Sequence, residues 1–416
     1  MIKNKILYNS FTDWKLNIVK SKGDYIWDDN GNKYIDFTSA WNVTNLGHNH
    51  PEITEAIIKQ AKKSCYVAGW NADPIQNKYA DLLTQALPKE LNVCVRATGG
   101  TEANEEAIKT ARAFTGRQKI IGFKNTYHGQ SYATISLGKS PESEVGKAIG
   151  PLLDKFVLID FPSVKASETI NQSSILKNFK KKLEIVLKNN DVAAIVCEVG
   201  IITGWGSTLI APEGFLTLVR NLTKKYQTLL ILDEVGTGFS RCGKLFGMEL
   251  EKIVPDIVTF AKGISNGAAA IGAMVTTEEI GEKTYATSNI YSTFGWNPVA
   301  CAASIKTLEI HKRNRVWEKA KKDGEYILSA LKKDLKNNPI IDDINGIGME
   351  IGVRLKNDAK LKMNELIEKA RRKGLHLCYA DNFNFQLMPS LTIKRDILNK
   401  GLEIFIEIVN SIAKKI

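Results

Sequence analysis

The middle of the chain alternates short apolar runs with amphipathic segments. Continuous apolar runs predict strands at Lys119–Phe123, 193–199, Leu229–Asp233 and 256–260. Continuous rather than alternating apolar residues are typical of parallel strands that are buried on both faces. Segments of helical periodicity lie between these runs, for example residues 213–226. This order predicts an α/β fold with a mainly parallel sheet flanked by helices.

The two ends of the chain carry different patterns. Two β-rich runs, 25–27 and 33–37, flank the turn sequence Asp28-Asp-Asn-Gly-Asn and predict a hairpin. Beyond about residue 300 the pattern predicts a smaller α+β domain, with helices at 297–314 and 394–415 and strands at 348–355 and 376–379. We therefore expect an N-terminal segment (1–50) that joins a small C-terminal domain (301–416), and a large domain between them (51–300).

The composition is that of a soluble globular protein. Hydrophobic residues make up 44% of the 416 residues and charged residues 25%. No apolar run is long enough to span a membrane, and the first residues lack the apolar core of a signal peptide. The six cysteines include no CxxC pair, which favours free thiols in a reducing compartment and argues against a metal site. We expect a cytoplasmic protein with no membrane partner.

The net charge of +12 raises the possibility of nucleic-acid binding. The excess consists mostly of lysines spread over helical segments such as 306–336, and no basic stripe is interleaved with aromatic residues. We therefore expect no nucleic-acid partner. A non-catalytic basic binding protein is kept as an alternative of another class.

A glycine pair opens one of the predicted helices, in Thr98-Gly-Gly-Thr-Glu-Ala-Asn. Free amides and the positive end of the dipole make a helix N-terminus suitable for binding phosphate, and glycines allow the anion to approach closely. The alternative is an ordinary helix start that is capped by Thr101. Taken alone, this motif does not decide between the two.

Two further motifs place chemically active side chains at strand ends. Asp233 ends the apolar run Leu229–Asp233, where a carboxylate can pair with a ligand cation or serve only structure. Lys262 ends the next apolar run and precedes Gly263. Burial would lower the pKa of this lysine and free its amine for Schiff-base chemistry. In combination, a phosphate site, a carboxylate and a lysine match the phosphate, ring nitrogen and aldehyde of pyridoxal phosphate.

These motifs and others recur in a consistent order along nearly the whole chain. They begin with Asn45-Leu-Gly-His-Asn-His-Pro-Glu and continue with Gly100-Thr-Glu-Ala-Asn, Tyr127-His-Gly, Asp233-Glu-Val-Gly-Thr-Gly-Phe-Ser-Arg-Cys-Gly-Lys, Thr293-Phe-Gly-Trp-Asn-Pro and Gly346-Ile-Gly-Met-Glu-Ile-Gly-Val. In these motifs the chain resembles the class III pyridoxal-phosphate aminotransferases, the group that includes ornithine, acetylornithine and 4-aminobutyrate aminotransferases.

The resemblance implies a fold-type-I enzyme that is active as a homodimer, with its active site at the interface. By resemblance, Lys262 would form the Schiff base with the cofactor and carry a proton, and Asp233 would pair with the pyridinium nitrogen. The other implied residues are Gly100, Thr101 and the partner subunit's Thr293 at the phosphate, Tyr127 and Val235 against the two ring faces, and His128 and Glu198 behind them.

Three positions depart from the family pattern. The family usually has Gln where this chain has Gly236, a gating Glu where it has Thr203, and the carboxylate-binding Arg where it has Gln386. The joint loss of the Glu and the Arg is physically coherent, because an unpaired buried charge is costly. Trp41 aligns with a substrate-facing position and is expected to narrow the pocket. An arginine in the region of Arg96 is an alternative carboxylate ligand.

The sequence thus predicts a ping-pong transfer of an amino group to a 2-oxo acid. The missing arginine favours an amine, an ω-amino acid or a neutral amino acid as donor. A racemase, epimerase, decarboxylase or aminomutase of the same fold is the alternative, because Lys262 could serve those reactions as well.

Overall fold

The computed structural model describes residues 16–165, 171–204, 209–356, 362–381 and 384–413. Helices and strands alternate through most of this range. The strands are β1 (Ile18–Lys22), β2 (Tyr25–Asp28), β3 (Lys33–Asp36), β4 (Val93–Ala97), β5 (Lys119–Phe123), β6 (Phe156–Ile159), β7 (Val192–Cys197), β8 (Ile201–Ile202), β9 (Leu209–Ile210), β10 (Leu229–Asp233), β11 (Ile257–Phe260), β12 (Gly272–Thr276), β13 (Ile341–Ile347), β14 (Glu350–Leu355), β15 (Leu375–His376), β16 (Cys378–Asp381) and β17 (Asn384–Leu387).

The helices pack around these strands. Their bounds are Pro51–Ala61, Pro74–Thr84, Gly100–Thr115, Tyr132–Ser136, Glu144–Ile149, Gln172–Leu187, Phe215–Lys225, Glu278–Thr284, Pro298–Arg313, Val316–Leu335, Met363–Arg372 and Arg395–Ala413, with short 3₁₀ turns at Gly247–Leu250 and Lys262–Ser265. None of the helices in the described ranges is both long enough and apolar enough to cross a bilayer.

A seven-stranded sheet forms the centre of the molecule, in the order β4-β12-β11-β10-β7-β5-β6. Its strands are parallel except β12, which runs antiparallel to both of its neighbours. Two hydrophobic clusters cover the opposite faces of the sheet, so that neighbouring residues of one strand, such as Leu230 and Ile231, are both buried. Burial on both faces explains the continuous apolar runs and confirms the predicted sheet.

The predicted strands of this sheet are confirmed with small shifts of boundary. β5 and β10 match the sequence prediction at both ends, while β7 and β11 are shorter than predicted. The predicted helix at 213–226 is found as Phe215–Lys225 and buries Phe215, Val219 and Leu222. Strand β12 was missed, because its alanine and glycine content gave no strand signal.

The N-terminal hairpin is confirmed as the antiparallel pair β2 and β3. Strand β3 also pairs in parallel with β15, so that residues near both ends of the chain share one sheet in the order β1-β2-β3-β15. Residues 1–15 of the predicted N-terminal segment lie outside the described residues. A third hydrophobic cluster joins Ile35, Phe37 and Leu46 to C-terminal residues.

The C-terminal region contains the antiparallel sheet β13-β14-β17-β16 and the helices that pack on it. The helix predicted at 297–314 is found as Pro298–Arg313, and the strand predicted at 348–355 as β14. The final helix is described as Arg395–Ala413, and the last residues of its predicted range lie outside the described residues. The domain boundaries at 50 and 300 stay a prediction.

Candidate active site

A cavity of about 390 Å³ lies at the carboxyl ends of the parallel strands β7 and β10. This is the edge at which open α/β sheets bind their ligands. Most of the site residues predicted from the sequence line this cavity: Gly100, Thr101, Tyr127, His128, Glu198, Thr203, Asp233, Val235 and Lys262. Residues from widely separated motifs therefore meet in one place.

The helix Gly100–Thr115 begins at the cavity wall. Its N-cap residue Gly99 has extended backbone angles and contributes no side-chain cap, which leaves the first helical amides available to a ligand. A Cβ atom at Gly100 would lie 3.0 Å from Val235 Cγ2, so glycine is needed for this close approach. An uncapped N-terminus that opens into a cavity fits the predicted phosphate site.

Asp233 is the centre of a buried hydrogen-bond network. Its Oδ2 accepts from Asn104 Nδ2 at 2.8 Å and pairs with His128 Nδ1 at 2.7 Å, and its Oδ1 accepts from the amide of Val235 at 2.9 Å. Thr259 Oγ1 in turn donates to Asn104 Oδ1 at 2.7 Å. These partners fix the carboxylate at the bottom of the cavity, where it can face a ligand cation.

Lys262 reaches the same cavity from the turn after β11. Its backbone is left-handed, with φ of +47°, a strained conformation that is frequent at functional sites. Among the described residues it has no ion-pair partner. Burial lowers the pKa of Lys262 below its ordinary value, and the charges of Glu198 and Asp233 oppose this shift. An unpaired, partly buried amine is suited to nucleophilic chemistry.

Glu198 directly follows β7, and Thr203 holds its carboxylate. The amide of Thr203 donates to Glu198 Oε2 at 2.9 Å, and Thr203 Oγ1 donates to the same oxygen at 2.5 Å. Burial, followed by the charge of Asp233, raises the pKa of Glu198 to about 7. Glu198 can therefore change its charge near neutral pH.

Gln386 does not line the cavity but lies directly behind it. Its Nε2 donates to the carbonyl oxygen of Thr203 at 2.7 Å and to Glu350 Oε1 at 3.1 Å. Thr203 and Gln386, the two positions at which a gating Glu and an Arg are expected in the family, are thus in contact. Glu350 and its other partner, Asn42, were not identified from the sequence.

Three residues discussed in the sequence analysis lie away from the cavity lining. Trp41 is half-buried in the short turn Ser39–Asn42, beside Val43, which does line the cavity. Thr293 is exposed. Arg96 lines a different cavity and donates to Gln76 Oε1 at 3.2 Å. A carboxylate ligand in the region of this arginine stays a prediction.

Arginine is the side chain best suited to bind a carboxylate ligand, because its guanidinium donates two parallel hydrogen bonds. No arginine is among the described residues that line it. The buried Arg241 lies nearby, but it is held by the carbonyl oxygens of Met349 and Pro389 and by Asn45 Oδ1. No cluster of metal-binding side chains occurs in the described part of the chain.

The sequence missed Asn104, Asn42, Glu350 and Arg241. Asn104 belongs to the glycine-containing motif, and its position one helical turn after that glycine pair was the available signal. Arg241 and Glu350 lie within two of the recurring motifs, which were the available signal, whereas Asn42 lies outside them. Only the tertiary structure brings these three residues together.

The residues present fit pyridoxal phosphate. The uncapped helix N-terminus matches its phosphate, the fixed carboxylate of Asp233 matches its ring nitrogen, and the unpaired amine of Lys262 matches its aldehyde. Tyr127 and Val235 line the space between these groups.

Comparison with known sequences places this site in context. The sequence-family model described as aminotransferase class-III matches residues 8–409. The acetylornithine aminotransferase of Bacillus cereus is 31% identical over 403 residues, which cover 97% of each chain. The alanine–glyoxylate aminotransferase 2 homolog 2 of Arabidopsis thaliana is 32% identical over 92% of this chain and 80% of its own length.

Solved structures show the same architecture. An (S)-enantioselective omega-transaminase from Thermomicrobium roseum is 28% identical and superposes with a TM-score of 0.89 over 96% of this chain and 93% of its own. A taurine:2-oxoglutarate aminotransferase from Bifidobacterium kashiwanohense, in complex with pyridoxal phosphate and glutamate, is 25% identical with a TM-score of 0.90 over 98% and 96%.

Proposed function

Because the chain belongs to the class III aminotransferase family, we propose that this cavity transfers the amino group of an amine, an ω-amino acid or a neutral amino acid to a 2-oxo acid. The enzyme is a fold-type-I, pyridoxal-phosphate-dependent aminotransferase. The observation that carries the proposal for this site is the meeting of Lys262, Asp233 and an uncapped helix N-terminus in one cavity.

The bound cofactor supplies an electron sink for the carbon from which the donor loses its proton. Lys262 would hold the cofactor through Nζ and, once displaced by the donor, use the same nitrogen to move that proton. Burial lowers the pKa of Lys262, which favours the neutral amine that accepts a proton. Asp233, fixed by His128 and Asn104, would hold the ring nitrogen in its protonated form.

The remaining predicted residues would position the cofactor. The amides of Gly100 and Thr101 would bind the phosphate, while Tyr127 and Val235 would contact the two faces of the ring. Glu198 adds a titratable carboxylate near Lys262, as the effect of its charge on that lysine indicates. These assignments rest on the positions of the side chains around the cavity.

We also propose that the enzyme is a homodimer and that the partner subunit's Thr293 completes the phosphate site. Thr293 is exposed between Tyr291 and Phe294, which are 54% and 65% exposed. Trp70 and Tyr285 are 81% and 89% exposed. Large aromatic side chains that are exposed in an isolated chain are typical of an interface. The free state of the six cysteines supports a cytoplasmic location.

The donor class follows from the charges near the cavity. A glutamate donor presents two carboxylates, whereas Gln386 has only a neutral amide and no arginine is among the described lining residues. A neutral amide lacks the bidentate, charged fork that favours carboxylate binding. We therefore expect amines, ω-amino acids and neutral amino acids to react faster than glutamate.

The proposal is tested by mixing the yellow holoenzyme with one donor at a time, without an acceptor. The panel consists of glutamate, alanine, ornithine, 4-aminobutanoate, 1,4-diaminobutane and a branched-chain amino acid. We expect conversion of the bound cofactor from its aldehyde to its amine form, and a matching keto or aldehyde product. Recovery of the original spectrum without such a product would instead indicate a racemase or decarboxylase, and glutamate as the fastest donor would refute the donor class.

Two variants separate chemistry from binding in this experiment. Lys262→Ala should abolish the conversion, because it removes the group that moves the proton. Lys283→Ala is the matched control, since Lys283 is exposed, lies away from the cavity and forms an ion pair with Glu279 in the same helix. Equal loss of activity in both variants would contradict the role of Lys262.

A further inference from the structure

Glu350 is a fully buried carboxylate at the start of β14, and the proposed mechanism does not use it. Its Oε2 accepts from Asn42 Nδ2 at 2.6 Å, and its Oε1 accepts from Gln386 Nε2 at 3.1 Å. Both partners are neutral amides, so within the described residues Glu350 has no ion-pair partner. A buried carboxylate whose hydrogen-bond partners are neutral is costly to ionise, and the charge of the buried Arg241 offsets part of this cost.

The two amides that bind Glu350 have unpaired oxygens. Asn42 and Gln386 each direct the NH₂ group toward the carboxylate, and Asn42 Oδ1 and Gln386 Oε1 are buried without a hydrogen-bond partner. Buried polar atoms normally find a partner. The cluster Asn42–Glu350–Gln386 therefore combines a carboxylate, whose pKa burial raises to about 7, with two unused acceptors. This combination is complementary to an ammonium group, which would favour the ionised carboxylate.

This cluster lies immediately behind one side of the active-site cavity. Gln386 Nε2 donates to the carbonyl oxygen of Thr203, which lines the cavity, and Asn42 precedes Val43, which also lines it. Burial raises the pKa of Glu350, whereas the charges of Arg241 and, to a smaller extent, of the cavity residue Lys262 favour its ionised form. Charges act over longer distances in such a desolvated region than in water.

The backbone that carries Asn42 is strained. The residues of the turn Ser39–Asn42 have φ between +42° and +67°, in the left-handed region. Several consecutive left-handed residues are costly for L-amino acids, and asparagine tolerates this region better than most. Strain of this kind is retained where a precise side-chain position is required. Here it places Asn42 against Glu350.

We propose that the Asn42–Glu350–Gln386 cluster selects amino donors whose far end is cationic, such as short diamines. This proposal rests on the proposed function and narrows its donor class. One amine of the donor would take the place of Lys262 on the cofactor, which frees the lysine amine, and the other would remain protonated against the side of the cavity formed by Val43 and Thr203. There Glu350 attracts it, whereas a terminal carboxylate is repelled. The charge at this side of the site would be the opposite of that of an arginine clamp.

The test compares donors of equal length with different ends: 1,4-diaminobutane, 1-aminobutane and 4-aminobutanoate. Rapid mixing of each with the wild-type holoenzyme gives the apparent Kd and the limiting rate of the first half-reaction. We expect the diamine to have the lowest Kd, on the order of tenfold below that of the monoamine, because a charged group gains a partner in a desolvated site. The amino acid should bind most weakly.

Variants of Glu350 test whether this carboxylate is the source of the preference for the diamine. Glu350→Gln keeps the shape of the side chain and removes its charge, so the Kd ratio of monoamine to diamine should fall to near one. Glu350→Asp is the matched control, because it keeps the charge and should retain most of the preference. A purely structural role for Glu350 would change the Kd of both donors by similar factors and leave their ratio intact.

The outcomes separate this proposal from the proposed function. Turnover of all three donors without a preference for the diamine, or with 4-aminobutanoate bound most tightly, would overturn the inference and leave the proposed function standing. Glutamate reacting faster than all three would overturn the proposed function. A preference for the diamine that survives in Glu350→Gln would also refute the proposed role of the cluster in donor selection. The comparison of donors in the wild type holds even if a variant does not fold.

Discussion

Thr203 occupies the space that a side chain at position 236 would need. A Cβ atom built on Gly236 would lie 2.2 Å from Thr203 Oγ1, far inside van der Waals contact. The hydroxyl is held in this place by its bond to Glu198. Thr203 and Gly236, two of the expected departures from the family pattern, are therefore coupled by packing, because a threonine held here leaves room only for glycine. With the contact between Gln386 and Thr203, all three departures form one connected unit.

Gly236→Ala should destabilise the protein by about 1 to 3 kcal/mol, because the new methyl group overpacks a buried site. The free energy of unfolding is measured by chemical denaturation. Gly236→Ala in a Thr203→Ala background should cost less than in the wild type, since the clashing hydroxyl is absent. The double-mutant cycle measures this coupling directly. Simple additivity of the two changes would show that the contact is not responsible.

Asp233→Asn should lower the rate of transamination on the order of 100-fold or more, because a neutral amide cannot hold the ring nitrogen protonated. Binding of the cofactor is measured separately, by its absorbance after dialysis. Asp160→Asn is the control, since Asp160 is an exposed carboxylate that pairs with Lys124. An Asp233→Asn enzyme that retains cofactor and full activity would remove Asp233 from the mechanism.

Asp36 joins the two ends of the chain through buried hydrogen bonds. Its carboxylate pairs with His48 Nε2 at 2.8 Å and His376 Nδ1 at 3.0 Å, and accepts from Thr38 Oγ1 at 2.6 Å. These bonds lower the pKa of Asp36 well below its ordinary value, although burial opposes them. A lowered carboxylate pKa contributes stability above the unfolded-state value near 4. That stability is lost as the pH falls below it.

Asp36→Asn should therefore reduce the free energy of unfolding by about 3 kcal/mol at neutral pH, since it removes one partner of a buried charged cluster. The difference from the wild type should shrink as the pH is lowered below about 4. Asp29→Asn, at an exposed position of the same hairpin, is the control. The same loss of stability at pH 7 and at pH 3 would show that the charge of Asp36 does not matter.

The raised pKa of Glu198 predicts that the cofactor-free protein becomes less stable as the pH rises, which is the opposite of the effect of Asp36. Its pKa rises from 4.5 to about 7 on folding, so the folded state binds a proton that the unfolded state has lost. Stability from this group is complete below pH 4.5 and falls as the pH rises toward 7, by about 1.4 kcal/mol per pH unit. Glu198→Gln should remove this slope from the unfolding free energy. An unchanged slope would place the titration elsewhere.

Much of the central sheet could be predicted because buried parallel strands carry a strong local signal. The predicted boundaries of β5 and β10 match the structure at both ends. The order of the motifs that carry the candidate site residues can also be read from the sequence. β12 could not be predicted, because Gly272 and the alanine after it have weak strand preference and the strand is held by its antiparallel neighbours. Burial between β11 and β4 outweighs local preference there.

The sequence by itself determined the strand and helix pattern, the position of Lys262 and Asp233 at strand ends, and the glycine pair at a helix start. Each of these follows from neighbours in the chain, because apolar periodicity and helix capping are local properties. Only the tertiary structure decided that Asn42, Glu350 and Gln386 meet behind the cavity and that Thr203 fills the space at Gly236. These contacts join segments up to 308 residues apart. Packing of the whole chain sets them, and no local pattern encodes them.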